Sequence, residues 1–147
     1  MKECQKRIKN ILAICWGMQV AVTAAGGVVN RGKNGTHRGI AHEIVINPDG
    51  LNHPIYKDKD KIFNTPAFNY DEVVTLPNNA ILLSSNKVNR VMGLNFKTEI
   101  SDIWGIQYHP EITYEKMVTL INFRKERLLQ NKSFNNEEEM ISHIEII

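Results

Sequence analysis

Two short stretches of this chain carry side chains suited to nucleophilic chemistry. The first is Ala13-Ile14-Cys15-Trp16-Gly17-Met18-Gln19, in which a cysteine ends the apolar run Ile11-Leu12-Ala13-Ile14 and opens a small-residue segment. The run is short and partly β-branched, and reads as a strand buried on both faces. The segment from Trp16 to Ala25 reads as a helix, stopped by Gly26-Gly27. A thiol between a strand and a helix sits on a tight turn that holds it out from the backbone. The free N–H groups and positive end of the helix favour its thiolate form. The Trp16 N–H falls where one oxyanion donor is needed. Ala13 and Gly17 flank the cysteine at two positions on either side, small as a crowded turn requires. A small buried apolar group is the other reading of Cys15, because x-C-x-G is a common pattern.

The second stretch, Gly105-Ile106-Gln107-Tyr108-His109-Pro110-Glu111, ends an apolar segment, and its histidine lies 94 residues beyond Cys15. A cysteine nucleophile needs a base to take its proton and a third group to hold that base in one tautomer. His109 and Glu111 are two apart on an extended segment that Pro110 restricts, a spacing that brings a carboxylate beside an imidazole. Taken alone, the same residues also describe a strand that ends in a turn with a surface His and Glu.

These residues need a scaffold. Residues Glu3 to Asn10 read as the end of a polar helix, and Asn30 to Arg38 as an exposed glycine-containing loop. Strands are expected at Ile40 to Asn47, Glu72 to Leu76, Ala80 to Ser84, Val91 to Asn95 and Ile103 to Tyr108, with a turn at Pro48-Asp49-Gly50. Thr113 N-caps a helix from Tyr114 to about Leu129, with Met117, Leu120, Ile121 and Leu128 near one face. Strands interleaved with helices make an α/β fold. A partial catalytic domain over 1–129 and a polar C-terminal tail over 130–147 complete the division, with no role assigned to the apolar ending Met140 to Ile147.

Composition narrows the function. The 147 residues are 42% hydrophobic, and 18 Lys and Arg stand against 16 Asp and Glu, for a net charge of +2. That balance lacks the concentrated basic face of a nucleic-acid binder. No apolar run approaches the roughly 18 residues of a membrane span, and no apolar h-region follows the charged N-terminus, so a cytoplasmic location is expected. Cys4 and Cys15 read as free thiols.

Ala13 to Gln19 looks like the G-x-C-x-G-x-Q elbow of the class I glutamine amidotransferases of the Cys-His-Glu type, and Tyr108-His109-Pro110-Glu111 looks like that family's F/Y-H-P-E signature. Between them, Asn69-Tyr70-Asp71-Glu72-Val73, Leu76-Pro77 and Ser84-Ser85 resemble its H-x-D-x-V…L-P…S-S segment. The resemblance implies a mostly parallel central sheet with flanking helices in a flavodoxin-like arrangement. It implies that Cys15 attacks the glutamine side-chain amide, giving a γ-glutamyl thioester and ammonia, with His109 as base then acid and Glu111 orienting it. Trp16, Gly17 and Gln19 then line the glutamine pocket, and main chain around Phe68, Asn69 and Tyr70 meets the amino-acid end. No cofactor and no metal are implied, and the ammonia acceptor is a synthase partner on another chain, or water. Ala13 replaces the elbow's first glycine, and Asn69 stands where many members carry His. Only fourteen residues precede Cys15, where the family has opening β-α units and a loop supplying a second oxyanion donor. An N-terminally truncated domain is therefore expected, with weak or lost activity and an exposed sheet edge open to oligomerisation. The alternatives are an inactive docking subunit or a related cysteine hydrolase acting on γ-glutamyl substrates.

The remaining candidates have plainer readings. His37, His42 and Glu43 lie in a loop and strand rather than on one helical face, and read as ordinary residues rather than metal ligands. Arg31, Lys33 and Arg38 read as a solvated loop. Ser84 and Ser85 lack a G-x-S-x-G context, and Glu137-Glu138-Glu139 reads as a solvated face or helix start.

Overall fold

The computed structural model describes all residues, Met1–Ile147. The chain runs α1 (Lys2–Gln5), β1 (Asn10–Ile14), α2 (Trp16–Ala24), β2 (Val28–Arg31), β3 (His37–Ile46) and α3 (Pro48–Leu51). A 3-10 turn at Pro54–Tyr56 leads to β4 (Ile62–Asn69), β5 (Asp71–Thr75), β6 (Ile81–Ser85), β7 (Gly93–Lys97) and β8 (Asp102–Ile106). Three helices close the chain: α4 (Tyr114–Phe123), α5 (Lys125–Gln130) and α6 (Glu137–Ile144). No helix is long and apolar enough to cross a membrane.

Six strands form one sheet in the order β1-β8-β7-β6-β3-β4, and β2 pairs with β5 in a small separate ribbon. The α/β class holds, but the sheet is mixed: β1–β8 is its one parallel pair, and the other four pairings are antiparallel. Short connections such as Thr98 to Ser101, between β7 and β8, reverse the chain directly and can only give antiparallel neighbours. The long excursion from β1 to β8 permits the parallel one.

That single parallel pair positions the chemistry. Ile14 pairs with Ile106, so the C-terminal ends of β1 and β8 meet, and the residues that follow them emerge side by side at one edge of the sheet. Along β8 and just past its end, Ile103, Gly105 and Gln107 share the face turned to α2. Gly105 lets α2 settle there: a Cβ on it would come within 2.7 Å of Met18 Cγ and 3.0 Å of Leu94 Cδ1. Met18, Ala21 and Val22 of α2 pack with Ile103, Leu94 and Phe96. The opposite face buries Ile44, Ile46, Tyr56, Phe63 and Tyr108.

Several elements depart from the sequence expectation. β1 is an edge strand with a neighbour on one side only, and Leu12 is 59% exposed; its apolar run therefore does not signify burial on both faces. β4 was not expected, since Pro66 interrupts its pattern, but β4 is the other edge of the sheet, where a residue without an N–H is tolerated. The stretch read as loop, Asn30 to Arg38, loses its first two residues to β2 and its last two to β3. Pro48-Asp49-Gly50 falls in the one-turn helix α3. The Thr113 cap is present, its hydroxyl accepting from the Lys116 N–H at 3.2 Å. The helix it starts divides at Arg124 (φ −98, ψ 11) into α4 and α5.

The segment after 129 folds back onto the body rather than trailing from it. Phe134 and Met140 join Met117, Ile121 and Leu128 in a third apolar cluster, with Ile144 and Ile147 against it. Arg38 of β3 donates to the Ser133 carbonyl at 2.7 Å and pairs with Glu139 at 2.8 Å, while His143 Nε2 donates to the Arg38 carbonyl at 2.9 Å. The polar surface of this segment hides an apolar inner side of α6.

Candidate active site

Cys15 stands between β1 and α2 at φ 51, ψ −112, a left-handed backbone region that costs a non-glycine residue about 1–3 kcal/mol. Its N–H donates to the Ile106 carbonyl at 2.7 Å, fixing the turn against the end of β8. As the N-cap of α2 it lies beside first-turn N–H groups that have no intrahelical partner. Gly17 needs a different account from crowding: a Cβ there would meet nothing within 4 Å, so the space it leaves is open above the turn. Trp16 is 74% exposed.

His109 reaches the same place from β8. Its N–H donates to the Pro66 carbonyl at 2.8 Å, and its Nδ1–H donates to Glu111 Oε1 at 2.6 Å. With Nδ1 engaged, Nε2 is the nitrogen left for the thiol. Cys15 and His109 line one cavity of about 310 Å³. The approach of the Cys15 sulfur pushes the His109 pKa up to about 9; burial opposes the rise and the bond to Glu111 adds to it. His109 is therefore an imidazolium at neutral pH. Its side chain is 21% exposed and that of Glu111 49%.

Gln107, buried on the same face of β8, was missed as a site residue by the sequence reading. Its Nε2 lies 3.5 Å from Cys15 Sγ, and its Oε1 accepts from Gln19 Nε2 at 3.1 Å. Gln19 also donates to the Asp71 carbonyl at 2.9 Å, so the two glutamines join α2, β8 and β5 behind the sulfur. A buried polar residue at the inward position of an apolar strand was the available signal. The thiol can also donate to the Phe68 carbonyl, 3.8 Å away.

The expected substrate-contacting residues Phe68, Asn69 and Tyr70 divide. Phe68 borders the cavity. The Asn69 side chain turns inward: Oδ1 lies 2.8 Å from His37 Nδ1, and Nδ2 donates to the Asp71 carbonyl and to Asn89 Oδ1. Asn86 Nδ2 donates to His37 Nε2 at 3.0 Å, and Asn89 Nδ2 donates to Glu72 at 3.2 Å. An amide oxygen accepts and an amide nitrogen donates, so this network holds His37 neutral with its proton on Nδ1. Burial lowers the His37 pKa in the same sense. The Tyr70 hydroxyl is bonded to Ser133 Oγ, and its ring lies 4.5 Å beneath the Arg31 guanidinium. Of the other candidates, Glu43 pairs with Lys87, Ser84 is buried against the Tyr56 hydroxyl at 2.6 Å, and Cys4 is exposed.

A strained cysteine at a helix start, a histidine beside it and a carboxylate on the histidine's far nitrogen are the groups that a nucleophile, its base and an orienting group require. A family model, glutamine amidotransferase class-I, matches residues 1–126. The chain belongs to the class-I glutamine amidotransferase family. Among curated members, it is 29% identical over 138 residues to a γ-glutamyl-L-1-hydroxyisopropylamide hydrolase of a Pseudomonas species, covering 92% of this chain and 45% of that protein. It is 31% identical over 106 residues to a glutamine-hydrolyzing GMP synthase subunit from Methanosarcina acetivorans, covering 72% and 52% respectively. The chain thus spans about half the length of these class-I amidotransferase relatives. A glutamine amidotransferase structure from Thermotoga maritima superposes with a TM-score of 0.72 at 23% identity, over 89% of this chain and 53% of that one, and shares its fold.

Proposed function

We propose that the chain hydrolyses the side-chain amide of glutamine through a γ-glutamyl thioester on Cys15. His109 holds the proton given up by the Cys15 thiol, and the thiolate attacks the γ-carbonyl carbon. The Trp16 N–H, first in the free turn of α2, donates to the developing oxyanion. The imidazolium returns its proton to the departing nitrogen as the C–N bond breaks, and ammonia leaves. Water then attacks the thioester, His109 takes its proton, and glutamate and the thiol are regenerated. Glu111 holds Nδ1 so that Nε2 faces the sulfur throughout. Gln19 and the main chain near Phe68 and Tyr70 receive the amino-acid end, and the open space over Gly17 admits the substrate. The observation that carries this reading is the His109 Nδ1–Glu111 bond on a ring whose charge is raised by Cys15.

The ammonia passes to a synthase on another chain or to solvent; similarity to the GMP synthase subunit supports the first route. A second reading, a docking subunit without turnover, is favoured by the bare edge of β1, with Leu12 and Trp16 exposed. The same edge is where a second copy would add.

Incubating the full chain with L-glutamine, and separately with a diazoketone analogue of glutamine, tests the assignment. Stoichiometric labelling of Cys15 is expected, with glutamate release falling about 10⁴-fold or more in Cys15→Ser. An unlabelled Cys15 with no glutamate formed supports the docking reading instead.

A further inference from the structure

We propose that the group departing from Cys15 is an amine carrying an apolar substituent, so that the preferred substrates are γ-glutamyl amides of alkylamines or of apolar amino acids. This rests on the assignment of Cys15 and His109 as nucleophile and base. The observation is the space beside them. The cavity that both line extends for about 310 Å³ to a wall of Ile112, Met117, Leu120, Ile121 and Leu128. The amide nitrogen of glutamine carries no substituent that could reach this apolar wall.

The side on which this space lies decides what it holds. Nδ1 of His109 is bonded to Glu111, so the proton for the departing nitrogen comes from Nε2, and that nitrogen must stand within hydrogen-bond reach of it. A substituent on the nitrogen then continues past the imidazole into the cavity His109 borders. The acyl half lies on the other side of the sulfur, where Gln19 and the Asp71 carbonyl form the polar pair at 2.9 Å. Polar acyl side and apolar amine side suit an amide with a charged glutamyl end and a greasy amine end. The step balances: the Cys15 thiolate bonds to the γ-carbon, the C–N bond breaks, and the nitrogen takes the imidazolium proton to leave as a primary amine. Water supplies the hydroxyl of glutamate and returns its proton through His109.

Arg124, at the junction of α4 and α5, also borders the cavity and has no carboxylate within ion-pair distance. It distinguishes the two sources of an apolar amine, since an amino acid brings a carboxylate and an alkylamine does not.

The test compares kcat/KM of the full chain for glutamine, γ-glutamyl-isobutylamide and γ-glutamyl-leucine, with diazoketone labelling of Cys15 in parallel. The apolar amides are expected to exceed glutamine by at least about tenfold. Leu120→Trp, which fills the cavity, is expected to lower that ratio by a similar factor; labelling of its Cys15 shows that the variant is folded. A leucine conjugate favoured over the isobutylamide, with the advantage lost in Arg124→Gln, identifies the source as a peptide; equal rates identify an alkylamine. Labelled Cys15 with equal kcat/KM for glutamine and the apolar amides overturns the inference alone. Unlabelled Cys15 with no turnover of any amide overturns the assignment beneath it.

Discussion

Two histidines in this molecule have opposite lives. His109 sits at the cavity, with a carboxylate on one nitrogen and a thiol facing the other, and its pKa is raised to about 9. His37 lies buried between the amides of Asn69 and Asn86, and burial drives its pKa down. The residue type is the same; the difference is whether the partners carry charge. Ionisable or anionic partners make a ring that holds and moves a proton, while neutral amides make a ring that serves as a rigid two-ended strut. His37 acts on the site at one remove, by fixing the Asn69 segment whose neighbour Phe68 borders the cavity.

The contrast can be broken first at His109. Replacing His109 by Gln is expected to lower kcat/KM by about 10²–10⁴-fold, assayed at pH 7 well below the unfolding transition. A comparable loss from His37→Leu, measured below its unfolding transition, would erase the distinction between the two rings. The expectation for His37→Leu is instead a stability loss of about 1–3 kcal/mol in urea titration, because Asn69 Oδ1 is left buried without its partner, while Asn86 Nδ2 keeps the His42 carbonyl. Cys15 labelling should persist in that variant at low denaturant.

Glu111→Gln sharpens the comparison by turning His109's charged partner into an amide like those around His37. Turnover is expected to fall about ten- to a hundredfold, less than for a buried orienting carboxylate, since solvent reaches Glu111. The alkaline limb of the pH–rate profile, set near 9 by the His109 imidazolium, should move to lower pH. The smallest effect is on folding itself. A raised pKa makes the His109 contribution complete below pH 6.5 and lost as pH climbs through about 9. A lowered one makes the His37 contribution complete above pH 6.5 and lost as pH falls below it. Urea midpoints across pH should therefore decline on both sides, with the acid side flattened in His37→Leu and the alkaline side in His109→Gln.

What the sequence disclosed follows the same division. The Cys15 turn, α2 with its glycine stop, the Thr113 cap and the His109–Glu111 pair are local features, set by residues within a few positions of each other. Gln107 escaped notice because its partners, Cys15 and Gln19, are some ninety residues away. The His37–Asn69–Asn86–Asn89 network escaped for the same reason: His37 read singly as an ordinary loop residue and Asn69 as a substrate contact. β4 was hidden by Pro66, whose tolerance depends on an edge position that only the assembled sheet defines. Leu12 reads as core by type, yet it lies on an edge strand whose one neighbour is β8. The inner face of α6 was masked by its acidic start, and its attachment depends on Arg38 across the chain.

The parallel register of β1 on β8 carries a last implication, for the timing of maturation. During synthesis Cys15 leaves the ribosome ninety-four residues ahead of His109. Pairing so distant in sequence is slow to form. A nascent or half-folded chain thus carries the Cys15 thiol without His109 beside it, and whatever chemistry the pair performs waits until the polymer has closed upon itself.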